Sequence, residues 1–218
     1  MTTHGPLNVA VFVEPMFGEN AYLLWPAGRK EAWVVDPGLP PQEHELQSAV
    51  QDRGLAVRAV LLTHCHVDHI AGVRPLLEAW PEVELWAPRD EAQMLDDPEA
   101  NLSAPFGPPI VAPAPQRLLA PGETIQLGPL AWHVLDVRGH SPGGLAFHCP
   151  EAGVVLTGDT LFARGIGRSD FPGSSERRLL ANIRQHLLTL PEETIVYSGH
   201  GPATTIGTEL RENPFIND

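Results

Sequence analysis

Apolar residues with an alternating bias run through 7–13, 20–25 and 32–36, the spacing of half-buried strands, and the last run stops at the turn signal Asp36-Pro37-Gly38. The period then changes. Within 41–53, Leu46, Ala49 and Val50 share a helical face, with proline at the start and Gly54 at the stop. Val57 to Leu62 is almost wholly apolar, as expected of a strand covered on both faces. A helical pattern follows from Ile70 to Trp80, and a short strand from Val83 to Trp86.

The proline-rich segment 97–121 has little periodicity and reads as a surface loop or lid anchored against the body, not as a linker between domains. Beyond it the pattern predicts strands at 124–127, 130–137, 144–148 and 153–157, a Gly-rich loop at 163–173, a helix at 174–189 and a strand at 194–197. Each half runs from strands into a strand-helix-strand unit. The expectation is an α/β arrangement of two sheets with helices outside, built as one domain over 1–218.

Charge narrows the function. A formal charge of −13, with Lys30 the sole lysine, argues against a nucleic-acid surface, which needs clustered Lys and Arg. The chain has no apolar stretch of spanning length, and its start, MTTHGPLNVAVFVEP, lacks the pattern of a secretory signal. A cytoplasmic protein without membrane contact is therefore expected. Cys65 and Cys149 are too few for a disulfide framework, and Cys65 alternates with its flanking histidines, so its side chain should point away from them into the core.

The candidate chemistry is concentrated in THCHVDHIAG, residues 63–72, where His64, His66, Asp68 and His69 directly follow an apolar run. Four further sites set a ligand-type residue beside a Gly-containing turn after an apolar run: Asp36 in VVDPG, His140 in VRGHSPGG, Asp159 in VVLTGDTLF and His200 in IVYSGHGP. Leaving Asp36 aside, the histidines at 64, 66, 69, 140 and 200 with Asp68 and Asp159 are too many for one ion, which takes about four protein ligands. They suit two divalent ions roughly 3.5–4 Å apart that share a carboxylate. His64 and His66 face the same way from extended backbone. His4, His44, His133, His148 and His186 stand alone and read as ordinary core or surface residues.

His64, His66, Asp68 and His69 match the signature H-x-H-x-D-H, and on it the chain resembles the metallo-β-lactamase-fold hydrolases, from GENAYLL at 18–24 to GHGPATTIG at 199–207. Narrower matches, GDTLFARGIGRSDFPGS and GHGPATTIGTELRENPF, resemble the short bacterial glyoxalase II type of hydroxyacylglutathione hydrolase. That resemblance implies a four-layer αββα sandwich with metals at one edge of the two sheets. His64, His66 and His140 would hold the first ion, and Asp68, His69 and His200 the second, with Asp159 bridging. The ions would be zinc first, with iron or manganese as alternatives.

The implied activity is hydrolysis of a small thioester, such as S-lactoylglutathione to lactate and glutathione, with Asp68 as the catalytic carboxylate that orients hydroxide. One rival is a persulfide dioxygenase with a single iron at His66, His140 and Asp159. Another, of a different class, is a metal-bearing binding or scaffold module without efficient turnover. Two departures bear on the thiol. Longer glyoxalase II enzymes carry a C-terminal helical domain that supplies part of the glutathione site, and only 18 residues follow His200 here. Arg168 matches their substrate-binding basic residue, but Asp170 stands where they have a tyrosine. Thioester chemistry thus carries over better than glutathione specificity.

Overall fold

The computed structural model describes residues 1–106 and 108–217. The first sheet takes its strands in chain order: β1 (Thr2–His4), β2 (Leu7–Val13), β3 (Asn20–Pro26), β4 (Glu31–Val35), β5 (Ala56–Leu61), β6 (Glu84–Pro88) and β7 (Arg117–Leu119). Pairing is antiparallel through β4 and parallel from β4 to β7. The parallel part needs crossovers. They are supplied by α1 (Gln42–Arg53), by α2 (Val67–Ile70) with α3 (Val73–Ala79), and by the 3-10 helix Arg89–Asp96.

The second sheet contains β8 (Thr124–Leu127), β9 (Leu130–Asp136), β10 (Leu145–Cys149) and β11 (Val154–Gly158), after which a small hairpin forms from β12 (Leu161–Phe162) and β13 (Gly165–Ile166). Helix α4 (Glu176–Asn182) runs into one π turn, Ile183–Leu187, and leads to β14 (Ile195–Ser198), parallel to β11. The chain closes with β15 (Thr204–Thr205) and α5 (Ile206–Glu212).

Packing follows from the strand period of two. On β5, Ala59 and Leu61 face the second sheet while Val60, with Leu62 just beyond the strand, faces α1 and α3, so the second half of the strand is apolar on both faces, whereas Arg58 in its first half is exposed. Between the sheets, Trp33 of β4 meets Trp132 of β9, with ring centroids 5.9 Å apart. Outside the second sheet, Val155 and Val196 pack against Leu179, Ile183, Leu187 and Ile206. These three clusters separate four layers, the αββα sandwich of the metallo-β-lactamase fold.

Several elements depart from the pattern reading. Segment 97–121 is not all loop: Arg117–Leu119 pairs with β6 as a parallel edge strand. Its earlier part is pinned by Asn101, whose Nδ2 donates to the carbonyls of Met94 and Ile110 at 3.0 and 2.9 Å; Gly107 lies outside the described residues. The predicted helix from Ile70 to Trp80 divides into α2 and α3. Among the short elements that fall outside the pattern reading are β1, the 3-10 helix Arg89–Asp96, β15 and α5. Both cysteines are fully buried, Cys65 under the outer helices and Cys149 between the sheets. Among the described residues no helix is long and apolar enough to cross a membrane.

Candidate metal centre

The ligand-type residues leave the carboxyl ends of five strands, where open α/β sheets place their ligands. Asp36 follows β4, His64 and His66 follow β5, His140 follows β9, Asp159 follows β11, and His200 follows β14. His66 is still extended (φ −73, ψ 154) and caps α2, whose first turn carries Asp68 and His69. The switch from extended to helical backbone turns the last two side chains away from the direction of the first two.

Two groups result. Ligand atoms of His64, His66 and His140 lie within 4.8 Å of one another, and so do those of Asp68, His69 and His200. Asp159 stands between them, with Oδ1 3.4 Å from His69 Nε2, and Oδ2 3.7 Å from His140 Nε2 and 3.4 Å from His200 Nε2. Asp36 lies at a comparable spacing from His64 and His69. Its carboxylate is committed elsewhere: it accepts the Thr63 N–H at 2.7 Å and the Thr63 hydroxyl at 2.6 Å.

Three histidines have their outer nitrogen hydrogen-bonded, and that of His69 lies close to a carboxylate without a hydrogen bond. Nδ1 of His64 donates to Thr63 Oγ1 at 3.1 Å, and that of His140 to the Arg168 carbonyl at 2.8 Å. Nδ1 of His69 lies 3.2 Å from Asp36 Oδ2, and that of His200 donates to the Phe17 carbonyl at 3.2 Å. This is how proteins fix the tautomer and direction of metal-binding imidazoles. The inner atoms are left over: His64 Nε2, His69 Nε2 and Asp159 Oδ1 are buried without a hydrogen-bond partner. Orphaned buried polar atoms are costly, and cations would satisfy all three together. Gly199 permits the closeness, since a Cβ there would lie 2.1 Å from Asp159 Oδ1.

Electrostatics divide the groups. Burial, reinforced by His69 and His66, holds His64 well below the usual histidine range, and burial with His140 presses His66 down to about 3. Both keep lone pairs. For His200, burial opposes the charged form, but hydrogen bonds to Asp159 and Asp68 outweigh it and raise the ring to about 10. His69 is raised well above its usual range because Asp159 and Asp68 overcome its burial. The carboxylates thus draw positive charge to the second group, as protons here and as cations wherever these displace the protons.

A cavity of about 540 Å³ opens over the cluster. Phe17, Val67, Leu102, Pro105, Phe162, Ile166 and Phe171 form its apolar walls, and Arg168 stands at its rim. The Phe171 ring meets those of His66 and His140 edge-on at 5.4 and 5.7 Å. Arg168 lies 4.5 Å over the Phe171 ring and makes two bonds to Asp170, Nε to Oδ1 at 2.9 Å and Nη2 to Oδ2 at 2.8 Å. The side chain expected to meet substrate is therefore already paired with the residue that departs from the glyoxalase II pattern.

The family model of the metallo-beta-lactamase superfamily matches residues 15–200. The chain belongs to that superfamily. Among curated relatives, this superfamily member is 36% identical over 199 residues to the probable metallo-hydrolase YqgX of Bacillus subtilis, covering 91% of this chain and 92% of the relative. It is 35% identical over 213 residues to the hydroxyacylglutathione hydrolase GloC of Haemophilus influenzae, covering 97% and 99%. Among solved structures it resembles BLEG-1 B3 metallo-beta-lactamase, with TM-score 0.89 and 35% identity over 97% of this chain and 100% of that one. TTHA1623 in a di-iron-bound form gives TM-score 0.81 and 37% identity over 95% and 100%. ETHE1 from Myxococcus xanthus gives 0.78 and 26% over 95% and 83%.

The surroundings of the centre hold residues that pattern alone did not single out. Thr63 connects Asp36 to His64, and Tyr22 and Asn20 both donate to the Ser198 carbonyl, at 2.5 and 2.9 Å, to brace the His200 turn. Asn20 and Tyr22 lie in the quoted GENAYLL, so their stretch was visible although their roles were not. Glu91 sits in the 3-10 helix Arg89–Asp96, which falls outside the pattern reading.

Proposed function

We propose that this superfamily member is a dinuclear metal-dependent hydrolase of S-acyl thiol esters. The observation that carries the reading is the pair of three-residue groups with Asp159 between them, in which hydrogen bonds hold the outer nitrogens of His64, His140 and His200. Likeness to GloC supports the thioester, and likeness to a di-iron form supports two ions. The mixed His and Asp donors accept zinc, iron or manganese. Two such ions would supply hydroxide near neutral pH and polarise the acyl carbonyl.

The chain's own groups do the rest. Asp68 faces the cavity with Oδ2 3.2 Å from His200 Nε2, placed to orient the attacking water and accept its proton. Phe162 and Phe171 keep bulk water from the reacting carbonyl. A thiolate leaves without an acid. A second reading, persulfide oxidation at one iron held by His66, His140 and Asp159, is supported by likeness to ETHE1 from Myxococcus xanthus. It leaves Asp68, His69 and His200 without a task.

Elemental analysis of the purified protein, paired with thiol release from a thioester panel, tests the proposal. Two ions per chain with thiol release are expected. One iron with oxygen uptake would transfer the assignment to the dioxygenase, β-lactam opening without thiol release to a lactamase, and a metal-free, inert protein to a binding module.

The Arg168–Asp170 pair yields a narrower expectation. Asp170→Asn should free the guanidinium for an anionic thiol. The kcat/KM for S-lactoylglutathione, relative to the matched lactoyl thioester of N-acetylcysteamine, is expected to rise about two- to five-fold at low salt and to lose that gain at high salt. A ratio that does not move would remove Arg168 from thiol recognition.

A further inference from the structure

Glu91 lies in the 3-10 helix that follows β6 and is fully buried. A carboxylate in an apolar interior is costly unless its oxygens are hydrogen-bonded. Here Oε2 accepts the N–H of Cys65 at 2.7 Å and Oε1 accepts the N–H of Gly143 at 2.6 Å. Cys65 sits between His64 and His66, and Gly143 lies in the same turn as His140. One side chain therefore joins the backbone segments that carry all three members of the first group.

The approach is close: a Cβ on Gly143 would lie 2.8 Å from Glu91 Cγ. The neighbouring Asp90 reinforces the strap from outside, with Oδ2 3.3 Å from Arg138 Nη1 on the segment leading to His140. The second group is braced from elsewhere, His69 by Asp36 and the His200 turn by Asn20 and Tyr22.

We propose that Glu91 is a positioning residue that sets the affinity of the first group for its ion through the backbone, without touching the ion. The proposal rests on the dinuclear reading above. It is tested by zinc titration against a chromophoric chelator in two backgrounds: His200→Ala, which leaves the first group complete, and His140→Ala, which leaves the second complete. Glu91→Gln keeps one acceptor but turns an amide N–H toward the other backbone N–H. It should weaken zinc about tenfold in the first background and less than about twofold in the second, since outer partners are worth roughly 10–100-fold in metal affinity. Glu91→Ala should approach the upper end of that range in the first background alone; if it does not fold, Glu91→Gln decides.

A general packing role would weaken zinc alike in both backgrounds, and that result overturns the proposal, as does unchanged affinity in both. Absence of zinc binding in both parent backgrounds would overturn the dinuclear reading itself, and this proposal with it.

Discussion

Asp159→Asn is expected to lower thioester turnover by at least about 10³-fold, roughly 4 kcal/mol of barrier at 25 °C, and to reduce the bound metal from two ions to one. The carboxylate approaches histidine nitrogens of both groups, at 3.4, 3.7 and 3.4 Å, so it is placed to neutralise two cations together. An amide of the same shape keeps one oxygen, loses the charge and turns N–H donors toward positions that cations would occupy. The fold should survive. Asp159 Oδ1 has no hydrogen-bond partner to lose, and burying an uncharged amide removes a desolvated carboxylate. Metal content and kcat, read beside an unchanged circular dichroism spectrum, check the expectation. Near-native turnover with two ions would contradict the bridging role.

The largest effect on stability is expected at Trp33. Trp33→Ala should cost about 3–5 kcal/mol and lower the melting temperature by roughly 10 °C, at about 2–4 °C per kcal/mol for a chain of this size. The indole is 1% exposed and packs against Trp132 across the sheets at 5.9 Å and against Trp86 within its own sheet at 5.6 Å. Truncation there empties the centre of the intersheet layer, which is close-packed and can collapse only in part. Trp132→Phe is the informative contrast. Its Nε1 is buried without a partner, so deleting that donor offsets part of the lost volume, and a cost below about 1.5 kcal/mol is expected. Urea unfolding of the metal-free protein measures both. A loss under about 1 kcal/mol for Trp33→Ala would mean that the sheets repack around the gap.

The long elements were legible because their burial is periodic. The almost wholly apolar run at Val57 to Leu62 announced a strand covered on both faces, which holds from Ala59 onward, and Leu46, Ala49 and Val50 announced α1. Elements of two or three residues cannot display a period, so β7, bounded by prolines and paired only along one edge, was hidden in a stretch that reads as loop. The convergence of His64, His140, Asp159 and His200 could be argued from their shared position at the ends of apolar runs. Glu91 could not, because a buried carboxylate that binds two backbone N–H groups looks in sequence like any surface glutamate. Pairing between Arg168 and Asp170 was open to inspection as R-x-D, yet its bidentate geometry needed coordinates.

The origin of the ligands has a consequence for assembly. His64 and His66 come from the first sheet and His140 from the second, and the other group likewise divides into Asp68 and His69 against His200. Neither sheet can complete either group by itself. Ions at this centre would act as rivets across the seam of the sandwich, so the step that completes the catalytic chemistry would also lock the two halves of the chain together.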